Sequence, residues 1–190
     1  GTFVNQELLP DHDIGVEKPK KHTFGSAKDL MEHVQGIDNR QISGCIGCFR
    51  GNWYKIQSDT YKRLENVRGN EPSLRFRYLQ TRLDGATVQD MYELYPKFAK
   101  VFDECEDTIY SMAKFIHTAY LDRFVRRQFV SLEREFFNIM RICHEWHKED
   151  RQHNKVTLDK VIEVINTRYD HVLNKMIRMY NNLVSQETEI

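Results

Sequence analysis

The hydrophobic rhythm of the chain changes near residue 70. Before that point apolar residues come in short runs, and after it they recur three and four apart almost to the end. Gln41 to Cys48 and Asn52 to Ser58 predict two antiparallel strands, joined by a turn around Arg50-Gly51-Asn52. Upstream, Ser26 to Gly36 predicts a short helix, with Ser26 as its N-cap, Leu30 and Val34 on one face and Gly36 at its end. Residues 1–22 are polar, carry Pro10, Pro19 and a Lys-Pro-Lys-Lys run, and predict extended or loop structure that wraps a neighbouring strand. Residues 65–72 are rich in turn formers and predict a linker.

Beyond the linker every strong pattern is helical. Met91, Leu94, Tyr95 and Phe98 share a face, as do Cys105, Ile109, Met112, Ala113 and Ile116, and again Leu132, Phe136, Ile139, Met140 and Cys143. The last stripe runs unbroken from Leu158 through Ile165, Tyr169 and Met176 to Leu183 and predicts one long helix. Asp84 predicts a helix start, with Gly85 in its first turn. The expected fold class is therefore α+β, a short antiparallel β segment over residues 1–70 followed by an all-α domain over 71–190. Two strands are too few to close a sheet with two covered faces, so the first segment either packs on the helices or is the end of a larger sheet domain, and the second is the expectation.

Composition narrows the classes. No apolar run approaches the roughly 18–20 residues of a membrane span, and no basic-then-apolar signal segment opens the chain, so a cytoplasmic or host-cell intracellular setting is expected. Four scattered cysteines exclude a disulfide framework. Cys45 and Cys48 form a C-x-x-C, but no second half-site follows, and buried small residues are expected there rather than zinc. His144 and His147 lie three apart and lack the H-E-x-x-H spacing of a zinc hydrolase. The net charge is zero but uneven. Residues 50–82 hold eight Lys or Arg against three acids, and 83–110 hold seven acids against two lysines, which makes the first stretch the candidate anion-binding face. Asp103, Glu104, Glu106 and Asp107 read as a solvated helix face rather than a metal site, because no loop with ligand spacing frames them.

Tyr54-Lys-Ile-Gln-Ser-Asp-Thr-Tyr-Lys-Arg-Leu64 resembles the closing nucleotidyltransferase motif of ATP-dependent RNA ligases of the phage T4 RNA ligase 1 type, a K-I-K-S-D-x-Y-x-x-L run. Ile42-Ser-Gly-Cys-Ile46 stands where that family has its E-G-hydrophobic-hydrophobic motif, and the short helix before it lies at a similar spacing. Leu83-Asp-Gly-Ala-Thr-Val-Gln-Asp-Met-Tyr92 resembles the segment that opens the family's helical domain. The resemblance covers about residues 28–95, with four motif-like segments in the family's order.

The resemblance implies a nucleotide site built from Ser43, Gly44, Lys55 and Gln57, with ATP and Mg2+ as cofactors. Lys55 would contact the α-phosphate and stabilise charge developing at phosphorus, and Gly44 would let the backbone pass close to the nucleotide. Two positions depart from the pattern. Ser43 replaces the motif glutamate and Gln57 the second lysine, so each position has lost its charge, on the order of 2–4 kcal/mol of transition-state stabilisation if the site were used as in the family. Arg82-Leu-Asp-Gly85 imitates the nucleophile element K-x-D/N-G, but a guanidinium stays protonated and the string follows the closing motif. The nucleophilic lysine would thus come from an N-terminal nucleotidyltransferase portion. The helices would position RNA, with tRNA one candidate, through Lys62 and Arg63 and through the cluster Arg123, Arg126 and Arg127; Lys148 and Arg151 form a second basic pair. The expected function is the C-terminal part of a ligase that joins RNA 5′-phosphate and 3′-hydroxyl ends through adenylated intermediates in RNA repair. The rival is a non-catalytic helical module, derived from a ligase, that holds RNA or a protein.

Overall fold

The computed structural model describes residues 3–4, 7–8, 20–39 and 41–188. The chain divides into two compact units, Gly1–Asn66 and Val67–Ile190. The architecture is α+β, with short antiparallel strands in the first unit and a mostly helical remainder, as the patterning requires.

In the first unit β1 (Phe3–Val4) pairs with β2 (Glu7–Leu8), although most of the segment expected to be extended lies outside the described residues. Helix α1 (Ala27–Gln35) starts where Ser26 predicts: its Oγ accepts the Asp29 N–H at 3.2 Å, and the Gly36 N–H closes onto the Glu32 and His33 carbonyls. Strands β3 (Cys45–Phe49) and β4 (Asn52–Ile56) form the expected hairpin. The first strand begins four residues later than the sequence suggests, because the Asp38 carbonyl accepts the N–H groups of Gln41 and Ile42 and curls that stretch into a turn.

The expected linker over 65–72 is also shorter. Helix α2 (Asp59–Arg68) occupies its first half. The buried Ser58 hydroxyl accepts the Tyr61 N–H at 3.0 Å and donates to Asn39 Oδ1 at 2.8 Å, so the closing run enters a capped helix. Gly69, at φ +59, ends it in the left-handed conformation.

The second unit packs around one long helix. Helix α5 (Ala99–Tyr120) buries Phe102, Cys105, Ile109, Met112, Ala113 and Ile116 on one face, the period the sequence displays. Around it lie α3 (Leu74–Thr81), α6 (Arg134–Glu149), α7 (Leu158–Asn166) and α8 (Asp170–Thr188), and α4 (Gly85–Leu94) packs on α3. Tyr78 stacks on Phe102 at 4.7 Å between ring centres, and Tyr92 meets the same ring edge-on at 5.4 Å. Asp84 does open α4, but its carboxylate accepts the Thr87 hydroxyl rather than a backbone N–H.

The single final helix is in fact two. The N–H groups of Thr167 and Arg168 reach back three residues, to Val164 and Ile165, and tighten the last turn of α7. The Tyr169 carbonyl then opens α8 by accepting the Leu173 N–H. Tyr169, placed on the apolar stripe by its spacing, is instead 76% exposed at this break.

Candidate functional site

The hairpin turn is made by Arg50 and Gly51, at φ +51 and +76, the paired left-handed conformation of a type I′ turn. That turn fixes the register: Ile46 faces Lys55, Gly47 faces Tyr54, and Cys45 faces Ile56. Cys45 and Cys48, three residues apart on one strand, point to opposite faces and cannot share an ion there. Among the described residues no three His, Cys, Asp or Glu side chains gather as a metal site.

The open end of the hairpin brings Gly44 and Gln57 together. Gly44 sits at φ +148, and a Cβ there would lie 2.3 Å from the Ile56 carbonyl oxygen and 3.1 Å from Gln57 Cα. Only glycine permits this approach. Ser43 is exposed immediately before it. The Gln57 Nε2 group is buried and has no hydrogen-bond partner among the described residues. A buried donor left unpaired costs about 1–3 kcal/mol, so its persistence here asks for an explanation.

Lys55, one residue before the end of β4, is half-exposed. Its ammonium lies 3.8 Å from Glu65 Oε1 and 5.8 Å from the centre of the Tyr61 ring, both on α2. An exposed pair at that distance is worth at most about 1 kcal/mol, so the ammonium can exchange Glu65 for a stronger anion. The sequence alone did not reveal Glu65 as its partner. The signal was present in the helical spacing of Tyr61 and Glu65, once Ser58 is read as a cap. Gly44, Lys55 and Gln57 are thus gathered at one end of one hairpin, with Ser43 beside them. The fit to a phosphate is partial: one cation, one unpaired amide donor and one close glycine backbone. For Mg2+ these residues supply no carboxylate.

The expected RNA-binding residues fall in both units. Lys62 pairs with Asp59 at 3.1 Å on α2, and Arg63 lies exposed on the same helix. In the second unit α5 runs into a π-helical turn, Leu121–Val125. There Arg123 donates to the Val130 carbonyl at 3.3 Å and lies over the Phe124 and Phe137 rings, while Arg126 pairs with Asp122 at 2.5 Å. Arg127 is exposed, at φ +57. Phe129 is 92% exposed just after it, a position no hydrophobic period marks, because an isolated aromatic carries none. Lys148 pairs with Glu145 at 3.0 Å.

Much of the basic stretch 50–82 holds the fold together. Arg77 donates to the Val67 carbonyl at 2.9 Å, Arg75 reaches Asn174 Oδ1 at 3.4 Å, and Arg82 grips Glu106 from the acidic stretch. That bond to Glu106 raises the Arg82 guanidinium above its ordinary range against the opposing effect of burial. Burial, reinforced by Glu106, also raises the Tyr78 phenol.

No protein-family profile matches the chain, and no solved structure matches it. Two curated proteins are similar at low identity. The immediate-early protein ICP-46 homolog of Invertebrate iridescent virus 3 is 26% identical over 139 residues, which cover 70% of this chain and 31% of that protein. The homolog of the same name in Invertebrate iridescent virus 6 is 25% identical over 136 residues, 66% of this chain and 30% of that protein. The likeness is to viral proteins. The chain spans about a third of the length of the curated relatives it matches. Among the described residues no helix is long and apolar enough to cross a membrane.

Proposed function

We propose that the chain is the C-terminal part of an ATP-dependent RNA ligase that joins 5′-phosphate and 3′-hydroxyl ends through adenylated intermediates. The observation that carries this reading is the buried, unpaired Nε2 of Gln57 beside the close-approach glycine Gly44, with Lys55 two residues before it. A phosphate at this end of the hairpin would draw its charge partner from Lys55, and the Gln57 amide would donate to it once that side chain turns outward. The Ser58-capped helix that follows gives the Ser-Asp pair of the motif a physical role. ATP supplies the adenylate, and Mg2+ would be held by phosphates and by residues other than these. The similarity to viral immediate-early proteins fits action inside an infected host cell.

In sealing, the RNA 3′-hydroxyl attacks the phosphorus of the adenylated 5′ end, a phosphodiester forms and AMP leaves. Lys55 would stabilise the charge that develops there. With no K-x-D/N-G lysine, this chain alone takes no covalent label from radiolabelled ATP, whereas pre-adenylated RNA bypasses that requirement. Sealing of pre-adenylated RNA without self-labelling is the expected pair of results. Covalent labelling of this chain would refute the assignment of the nucleophile to another portion.

Two observations favour the non-catalytic reading: the ammonium of Lys55 already rests beside Glu65, and neither Ser43 nor Gln57 replaces the lost charges. RNA affinity without sealing is the result that favours it.

A further inference from the structure

The loop between the π-helical turn and α6, residues 126–133, presents one aromatic ring to solvent: Phe129 is 92% exposed. A lone exposed ring is ordinary on a protein surface, but three further features set this one apart. The loop is tied down on both sides of the ring. The Arg126 N–H donates to the Leu121 carbonyl and the Gln128 N–H to the Asp122 carbonyl, both at 2.9 Å, and Arg123 Nη1 donates to the Val130 carbonyl at 3.3 Å. Arg127 holds φ +57, a conformation that glycine takes freely and arginine does not. The charge is also unbalanced. Residues 121–131 hold Arg123, Arg126 and Arg127 against Asp122 alone, and Arg126 takes Asp122 at 2.5 Å. Arg123 donates to a neutral carbonyl and lies over two rings, and the Arg127 side chain has no partner among the described residues.

These features decide what the loop can hold. The exposed neighbours of Phe129 in sequence are Arg126, Arg127, Gln128 and Ser131, and Val125, 65% exposed, is the one other open apolar side chain in that stretch. That is too little apolar area for a protein or a lipid surface to dock by burial alone. An open flat ring beside an unmatched guanidinium suits a partner that brings flat faces and negative charge along one strand, and single-stranded RNA is such a partner. In a duplex the bases lie stacked on one another and their faces are closed.

We propose that Phe129 stacks on an unpaired base of single-stranded RNA while Arg127 meets an adjoining phosphate. The inference rests on the reading of the helices as an RNA-positioning unit, and adds the stacking residue that a basic cluster alone lacks. It also gives the left-handed arginine a role, because that position keeps a charge where glycine would fit more easily.

The test is anisotropy of a fluorescein-labelled single-stranded RNA with the full chain, beside the same RNA annealed to its complement. The single strand should bind more tightly than the duplex. Phe129→Ala should weaken binding about tenfold, Phe129→Tyr should keep it, and Phe129→Leu, apolar but not flat, should behave like the alanine variant. Arg127→Gly should weaken binding and lower the slope of log affinity against log salt by about 0.7, while the thermal midpoint does not fall. The proposal is overturned if the single strand does not bind, if Phe129→Ala or Phe129→Leu binds as the native chain does, if Arg127→Gly leaves the salt slope unchanged, or if the duplex binds as well as the single strand. Sedimentation with phosphatidylserine vesicles that is lost in Phe129→Ala would also overturn it, in favour of a lipid surface. No adenylate is present in the binding assay. Failure to seal with Phe129-dependent binding intact therefore counts against the ligase reading alone, and sealing with binding indifferent to Phe129 counts against this inference alone.

Discussion

Arg82 and Glu106 meet through two bonds of 2.7 Å each, with the arginine side chain only 8% exposed. The residue that makes Arg82-Leu-Asp-Gly85 look like a nucleophile element is therefore a clamp between the end of α3 and the middle of α5, and its Asp-Gly opens α4. Removing one partner of a buried pair leaves the other uncompensated. Glu106 is 39% exposed, so solvent takes up part of that loss, and Arg82→Ala should cost about 2–3 kcal/mol of stability in urea unfolding. Glu106→Gln, which keeps an acceptor, should cost less than half as much.

Gly44 tests the hairpin. A Cβ there meets the Ile56 carbonyl at 2.3 Å in a backbone conformation that L side chains rarely adopt. Gly44→Ala should destabilise the first unit by about 2–3 kcal/mol. In a Trp146→Phe background the fluorescence of Trp53 reports that unit alone, and its unfolding midpoint should fall. An unchanged midpoint would show that the strands need not approach so closely.

The four thiols should separate by reactivity. Cys48 is exposed and Cys45 half-buried, whereas Cys105 and Cys143 are buried. Burial raises the Cys105 thiol, and the Cys143 thiol is pushed up to about 11 by burial. Mass spectrometry after brief alkylation at neutral pH should find label on Cys48 first, and on Cys105 and Cys143 only after denaturation.

His144 stacks on Phe124 at 3.8 Å, and burial, helped by Lys148, lowers its pKa below the ordinary imidazole range. The sign follows. Above about pH 6.5 the ring is neutral in both folded and unfolded chains and makes no difference to pH dependence. As the pH falls below that value the unfolded chain takes up the proton first, so stability declines until the folded ring titrates as well. His144→Phe keeps the stack and should flatten the decline in stability that sets in below about pH 6.5.

The helical half of the fold was legible because burial on α5 and α6 follows a single period. What escaped was local. Tyr169 has the spacing of a core residue, yet short-range bonds at Thr167 and Arg168 end α7 before it, and periodicity is blind to such bonds. Ser58 reads as strand until its hydroxyl is seen to cap α2, and that cap moves the linker and brings Glu65 to Lys55. The motif string marks Ser43, Gly44, Lys55 and Gln57, but the burial of Gln57 Nε2 follows from the close approach of the two strands at Gly44, which no string of residues displays.

The most direct test of the central claim is the rate at which this chain seals pre-adenylated RNA in the presence of Mg2+, measured for the native protein beside Lys55→Ala. Loss of a cation aimed at the reacting phosphate should slow sealing by about a hundredfold or more, while circular dichroism and thermal midpoint stay unchanged, because the Glu65 pair lost with it is exposed. Equal sealing by the two proteins, or no sealing by the native chain, would contradict the account.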